Sequence, residues 1–169
     1  MNSRLFVIPV FILGLCLAGC KTERTMKEIS HVSYTSDAGP ILPELQWREQ
    51  IVITKDKVTL TRMGSIAGSE VNDGTWQLAL DVQQAATLFA GLQNLDCAAL
   101  ERVEAQDAPD GGHSESYTIH YADGQTCSLY YDPGTTYTGG ERVVQPVQAF
   151  LQELVFPPEA ASRYKPHTE

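Results

Sequence analysis

The side chains in this sequence with chemistry to offer are few: four cysteines, four histidines and one concentrated acidic stretch. A nucleophilic serine would need a histidine and a carboxylate to activate it. The Gly-x-Ser-x-Gly elbow that presents such a serine at a strand-to-helix turn is absent. Asp107, Asp110, His113 and Glu115 supply hard oxygen and imidazole donors within one stretch, the donor set a metal-dependent enzyme would use. They lack the alternate-position carboxylates and terminal glutamate of a calcium loop, so the stretch reads as a solvated acidic loop. Gly111-Gly112 and Gly139-Gly140 have neither the P-loop lysine nor the dinucleotide glycine spacing, so no phosphate cradle is expected. His31, His120 and His167 stand apart from one another in sequence, and His120 reads as a surface residue facing away from Ile119. No catalytic residue, cofactor or metal is therefore expected, and the chain reads as a non-enzyme.

Binding is the remaining class. Thr35–Pro43, Met63–Gly74 and Asp132–Arg142 combine glycine and hydroxyl residues with isolated apolar or aromatic ones. Loops on a rigid scaffold are where recognition usually sits. Gly39, Ile41, Ile66 and Tyr137 are accordingly the candidate recognition residues. Trp47 and Trp76 alternate with aliphatic residues and read as core.

The elements that must position these loops follow from apolar spacing. Leu45 to Thr54 and Val58 to Met63 alternate, and a tight turn at Lys55-Asp56 would pair Ile53 with Val58 and Ile51 with Leu60. The same register sets Glu49 opposite Arg62, a favourable cross-strand pair. Glu28 to Tyr34 reads as a first strand and Thr75 to Leu80 as a fourth. Asp81 is placed to cap a helix, with Gln84 completing a capping box, and Val82, Ala85, Phe89 and Leu92 repeat at helical spacing to about Leu95.

Farther on, Tyr117, Ile119 and Tyr121 alternate, as do Cys127, Leu129 and Tyr131. A three-residue loop, Ala122-Asp123-Gly124, would pair Ile119 with Cys127 and Tyr117 with Leu129 on one face. A second helix is expected with Pro146 near its first turn, carrying Val147, Phe150, Leu151 and Leu154, and stopped by Pro157-Pro158. Half-buried alternation suits an antiparallel sheet of hairpins with two helices packed on one face, an α+β fold. Residues 28–156 form this single domain, and 157–169 read as a flexible tail.

The N-terminus carries an address. Arg4 precedes an apolar run from Leu5 to Leu15, which is shorter than the roughly 20 residues a membrane span needs and suits the core of a signal peptide. Leu17-Ala18-Gly19-Cys20 follows at once and resembles the lipobox of bacterial lipoproteins. The resemblance implies that the Cys20 sulfur takes a diacylglycerol, that a peptidase removes residues 1–19, and that the freed amine is acylated, palmitate being the usual kind of chain. Two or more acyl chains give a stable membrane anchor without a spanning helix. Residues 20–27 then read as the lipidated cysteine and a polar tether. By the sorting rule of enteric bacteria Lys21 points to the outer membrane, facing the oxidising periplasm.

Cys16 leaves with the signal and Cys20 is taken by lipid, so Cys97 and Cys127 remain. Without a Cys-x-x-Cys or a ligand set around them, they are expected to form a disulfide in that compartment.

The chain has 169 residues and a net charge of −9, without basic runs, which argues against nucleic acid or an anionic lipid surface as the main partner. Its layout is also similar to the emfourin type of inhibitor of thermolysin-like metalloproteases: an early strand and glycine-containing loop, two hairpins and two helices. The likeness rests on Ser36-Asp37-Ala38-Gly39, Leu88 to Leu95 and Tyr117 to Tyr121. Asp37-Ala38 stands where that family has a glycine pair, so no functional residue is carried over. The expected function is a lipid-anchored, non-catalytic binding module whose partner is an envelope protein or ligand, with protease inhibition as the alternative.

Overall fold

The structure, a computed structural model, describes residues 27–166. The signal segment 1–19, Cys16, Cys20, nearly all of the tether and His167 lie outside the described residues.

Eight strands and three helices follow along the chain: β1 (Ile29–Asp37), β2 (Trp47–Ile53), β3 (Lys57–Gly64), β4 (Gly74–Ala79), α1 (Val82–Leu92), β5 (Glu101–Val103), β6 (Ser114–Tyr121), β7 (Thr126–Tyr131), β8 (Thr136–Thr138), α2 (Glu141–Gln152) and α3 (Pro158–Ala161). Six strands make one antiparallel sheet in the order β4-β3-β2-β1-β6-β7, and β5 pairs with β8 in a separate ribbon. The class is α+β.

Local pairing follows the apolar spacing. Ile53 faces Val58 and Ile51 faces Leu60, with Thr54 and Lys57 closing the turn through the Thr54 N–H and the Lys57 carbonyl. Ile119 faces Cys127 and Tyr117 faces Leu129, and Gly124 takes the left-handed conformation (φ 83°) that its three-residue turn requires. Both hairpins thus turn their apolar residues to one face. There α1 contributes Leu88, Phe89 and Leu92, and α2 contributes Val143, Val147 and Phe150, to a core shared with the sheet. The opposite face is open and rich in hydroxyls, with Thr61 beside Thr75 and Thr118 beside Ser128.

Several elements differ from the sequence reading. β1 continues to Asp37 and lies at the centre of the sheet, because β6 pairs along its whole length and satisfies its second edge. Asp81 caps α1 by accepting from the Gln83 N–H at 2.7 Å, but the helix ends at Leu92 rather than Leu95. The chain then turns so that Asp96 caps a short turn over Cys97–Ala99 and Cys97 reaches Cys127, with which it forms a disulfide. β5 and β8 are three residues each, too short to show alternation. α2 opens at Glu141, placing Pro146 beyond the first turn. Its missing N–H leaves the Arg142 carbonyl without the usual helical partner. The extra turn places Val143, fully buried, in line with Val147 and Phe150.

The expected flexible tail is a larger correction, since residues 157–166 are docked. Glu49 belongs to the covered face of β2 and is buried, together with the Arg62 that opposes it. A buried carboxylate needs full compensation, and one arginine does not exhaust its two oxygens. Arg62 Nε donates to one oxygen at 2.6 Å, and Arg163 from the tail donates to the other through Nη2 at 2.9 Å. Arg62 also donates to the carbonyls of Ala160 and Ser162, at 3.0 and 2.6 Å. Val71 forms a bridge with Tyr164. Trp47 and Trp76 correspondingly prove half-buried, each covered on one face by a guanidinium: Arg163 stands 3.8 Å from the Trp47 ring centroid and Arg62 5.2 Å from that of Trp76. Burial alone would raise the Glu49 pKa, but the hydrogen bonds and charges of Arg163 and Arg62 outweigh it and hold the carboxyl below its ordinary range.

Two expectations follow. Replacing both Cys97 and Cys127 by alanine is expected to lower the unfolding free energy by roughly 3–4 kcal/mol, the loop-closure entropy for this spacing, as read from urea titration with and without reductant. Glu49→Gln leaves Arg62 buried without a counter-charge and is expected to cost about 3–5 kcal/mol at neutral pH. Because the native Glu49 pKa is lowered, its contribution is complete above the unfolded value and is lost as pH falls through the native one. The stability gap between the parent and Glu49→Gln should therefore narrow on acidification below the ordinary glutamate range. A gap independent of pH would contradict the assignment.

Candidate functional site

Four connections leave the sheet at the same end: residues 38–46 between β1 and β2, 65–73 between β3 and β4, 104–113 before β6, and 132–135 after β7. Their contacts are specific. A Cβ on Gly39 would stand 1.6 Å from the Gly112 carbonyl oxygen, so only glycine permits this approach. Gly111 and Gly112 have φ of 87° and 125°, conformations open to glycine, and Pro40 and Pro133 pack against them. Between the loops lies a shallow groove of about 570 Å³ bordered by Gly39, Pro40, Pro109, Tyr130 and Pro133. On the other side, Ser65 Oγ donates to the Pro43 carbonyl at 2.7 Å and the Glu70 N–H to the Glu44 carbonyl at 2.9 Å. Segment 38–46 is thus clamped between its neighbours.

This end exposes apolar side chains. Ile41, Leu42, Met63 and Ile66 are 42, 61, 49 and 47 % accessible. Gly39, Ile41 and Ile66, singled out from the sequence, lie in connections at this one end of the sheet. Tyr137 does not: it lies in β8, half-buried, its hydroxyl accepting from the Tyr130 N–H at 3.1 Å and its ring edge-on to Tyr131. The sequence reading missed Leu42 and Met63. Met63 was detectable, because it is out of phase with Val58 and Leu60 and so must face away from the core. Leu42 was detectable from its confinement between Pro40 and Pro43.

Several of the other chemically capable groups have partners within the fold. His31 and His120 face each other across β1 and β6 and stack with ring centroids 3.9 Å apart, so neither is the solitary surface histidine expected. The partnership was invisible in sequence because it depends on a pairing between strands far apart in the chain. Ser33 hydrogen-bonds with His120 Nε2, and burial, with the charge of His31 second, lowers the His120 pKa.

Glu115 belongs to β6 rather than to the acidic loop. It accepts from the Tyr34 hydroxyl at 2.8 Å and the Tyr117 hydroxyl at 2.7 Å, with His113 Nε2 3.3 Å away. Burial pushes both phenols well above the usual tyrosine range, and the neighbouring carboxylate adds to this. Both therefore stay protonated donors in a closed network. Among the described residues no three His, Cys, Asp or Glu converge to hold a metal ion, and Asp107 and Asp110 do not join His113 and Glu115 in such a group.

The loop junction makes an opposed pair of expectations. Gly39→Ala is expected to destabilise by about 1–3 kcal/mol through forced displacement of the Gly112 backbone, and to speed amide exchange across residues 108–112. Gly91→Ala, at a helical position with nothing within 4 Å of the added carbon, is expected to stabilise by about 0.5–1 kcal/mol. Equal responses to the two substitutions, in urea unfolding, would rule out the tight junction.

No protein family, curated protein or solved structure matches this chain.

Proposed function

We propose that the chain is a bacterial lipoprotein, held through acylated Cys20 at the outer membrane facing the periplasm, and that it binds a partner there without catalysing a reaction. The observation that supports this reading most is the placement of the two ends of the sheet. β1 begins at Ile29, directly after the tether, and runs nine residues toward the loop surface. At about 3.3 Å per residue the two ends stand roughly 30 Å apart. A tether of residues 21–27 reaches at most about 25 Å from the lipid. The apolar loop surface then stands on the far side of the domain from the bilayer, open to a soluble or envelope-attached partner. The disulfide agrees with an oxidising compartment.

Protease inhibition draws less support. Ser36 is buried, Asp37 pairs with Arg48, and Gly39 is closed against Gly112, so the stretch that carries the inhibitor likeness does not project.

Growth with radiolabelled palmitate tests the anchor. The parent chain is expected to incorporate label and to lose residues 1–19, and Cys20→Ser to do neither. An unlabelled parent chain, or one whose N-terminal peptide still begins at Met1, would overturn the reading.

A further inference from the structure

The exposed apolar cluster at the loop end does not by itself say what covers it, but its electrostatic setting does. The four connections 38–46, 65–73, 104–113 and 132–135 together hold seven aspartates and glutamates and no lysine or arginine. Four cations reach this end from elsewhere: Arg102, which pairs with Asp132 and lies 3.6 Å from Glu104; Lys165, whose ammonium hydrogen-bonds the Ser69 carbonyl at 2.7 Å; Arg48, opposite Met63 and paired with Asp37; and Arg163, paired with Glu49. A clear negative excess remains.

The acidic residues come from connections on both sides of segment 38–46: Glu70 and Asp73 from 65–73, which bonds to it through the Glu70 N–H and the Glu44 carbonyl, and Asp107 and Asp110 from 104–113, which meets it at the Gly39–Gly112 junction. At physiological ionic strength a charge acts over about 8 Å, so flanking carboxylates shape the potential over the patch between them. Because no three of them converge among the described residues, this field is spread rather than focused. It suits a charge distributed along a chain or surface better than a single metal ion.

Charge also discriminates among occupants. A nucleic acid or an anionic membrane would be repelled, and a second copy would bring its own carboxylates against these. An apolar patch of this kind, rimmed by charge of one sign, is the arrangement of a protein interaction site whose rim steers the partner.

We infer that the loop surface binds a basic protein segment in which apolar side chains alternate with lysine or arginine, the apolar groups seating on Ile41, Leu42, Met63 and Ile66 and the cations meeting the flanking carboxylates. This deepens the proposed function and rests on its reading of the loops as the recognition surface. It does not depend on the anchor, which label incorporation reads separately.

The test uses the purified full chain in a non-ionic detergent and two fluorescent twelve-residue peptides, one alternating lysine with leucine and one alternating glutamate with leucine. Anisotropy titrations compare the parent chain with three variants in the same detergent. The first carries Ile41→Ser, Leu42→Ser and Ile66→Ser. The second carries Glu44→Gln, Glu70→Gln and Asp73→Asn. The third removes three charges away from the loops: Glu101→Gln, Asp123→Asn, in the turn at the opposite end of the sheet, and Glu153→Gln. Unchanged thermal unfolding confirms that each variant is folded.

The lysine peptide is expected to bind the parent chain and the third variant alike, and the first two at least about tenfold more weakly, with affinity falling as salt rises. Equal binding to the second and third variants would show that net charge alone attracts the peptide, and would overturn the inference. Preference for the glutamate peptide, lost in the first variant, would leave the loops a recognition surface and discard the basic partner. Failure of both peptides to distinguish the parent chain from the first two variants would discard both.

Discussion

One carboxylate ties distant parts of this chain together. Glu49 lies on the side of β2 that faces the core, where an uncompensated charge would cost several kcal/mol. Its partners come from 13 and 114 residues away in sequence. Arg62 is supplied by the neighbouring strand, and Arg163 by the end of the chain. The tail is thereby fastened over the sheet, and with it the connection between β3 and β4. The Asn72 N–H donates to the Arg163 carbonyl and the Asn72 side chain to those of Glu159 and Ser162. A buried ion pair adds little net stability over an apolar replacement. Its effect here is on specificity: slipping β2 by one residue would carry Glu49 to the open face and strand Arg62 inside.

The fold therefore has ends of different character. Where the tether enters, strands, α1 and the disulfide are knit by apolar contacts and a covalent bond. At the loop end, rigidity comes from polar and conformational constraints: the Gly39–Gly112 approach, prolines on both sides of it, and the arginine-clamped tail. These hold aliphatic side chains at the surface without burying them. The backbone beneath these side chains has little conformational entropy left to lose.

What could be read from the sequence, and what could not, divides along the range of the interaction. The two hairpin registers were legible because alternation and turn chemistry are local, and Cys97 with Cys127 because so few pairings were open to them. The central position of β1 was not legible, since Thr35, Ser36 and Asp37 carry no apolar signal and are strand because β2 and β6 pair with them on either side. The start of α2 was misplaced by reading Pro146 as a helix opener, when burial of Val143 decides the matter. Read as a cross-strand pair alone, Glu49 and Arg62 gave no hint that a third residue, Arg163, completes them. At the candidate site, Gly39, Ile41 and Ile66 could be picked out singly. Their convergence is a product of strand order, and Tyr137, similar to them in local composition, went instead to the aromatic cluster under β8.

The strand that anchors the sheet from its middle is also the first to be made. β1 pairs with β2 and with β6, and the latter begins at Ser114, 85 residues after Ile29. Early in synthesis the growing polypeptide can form the β2–β3 hairpin, but β1 has an unfilled edge until β6 emerges. Such long-range closure makes folding slow relative to local hairpins. The topology thus leaves the middle of the sheet with an open edge until Ser114–Tyr121 is available to close it.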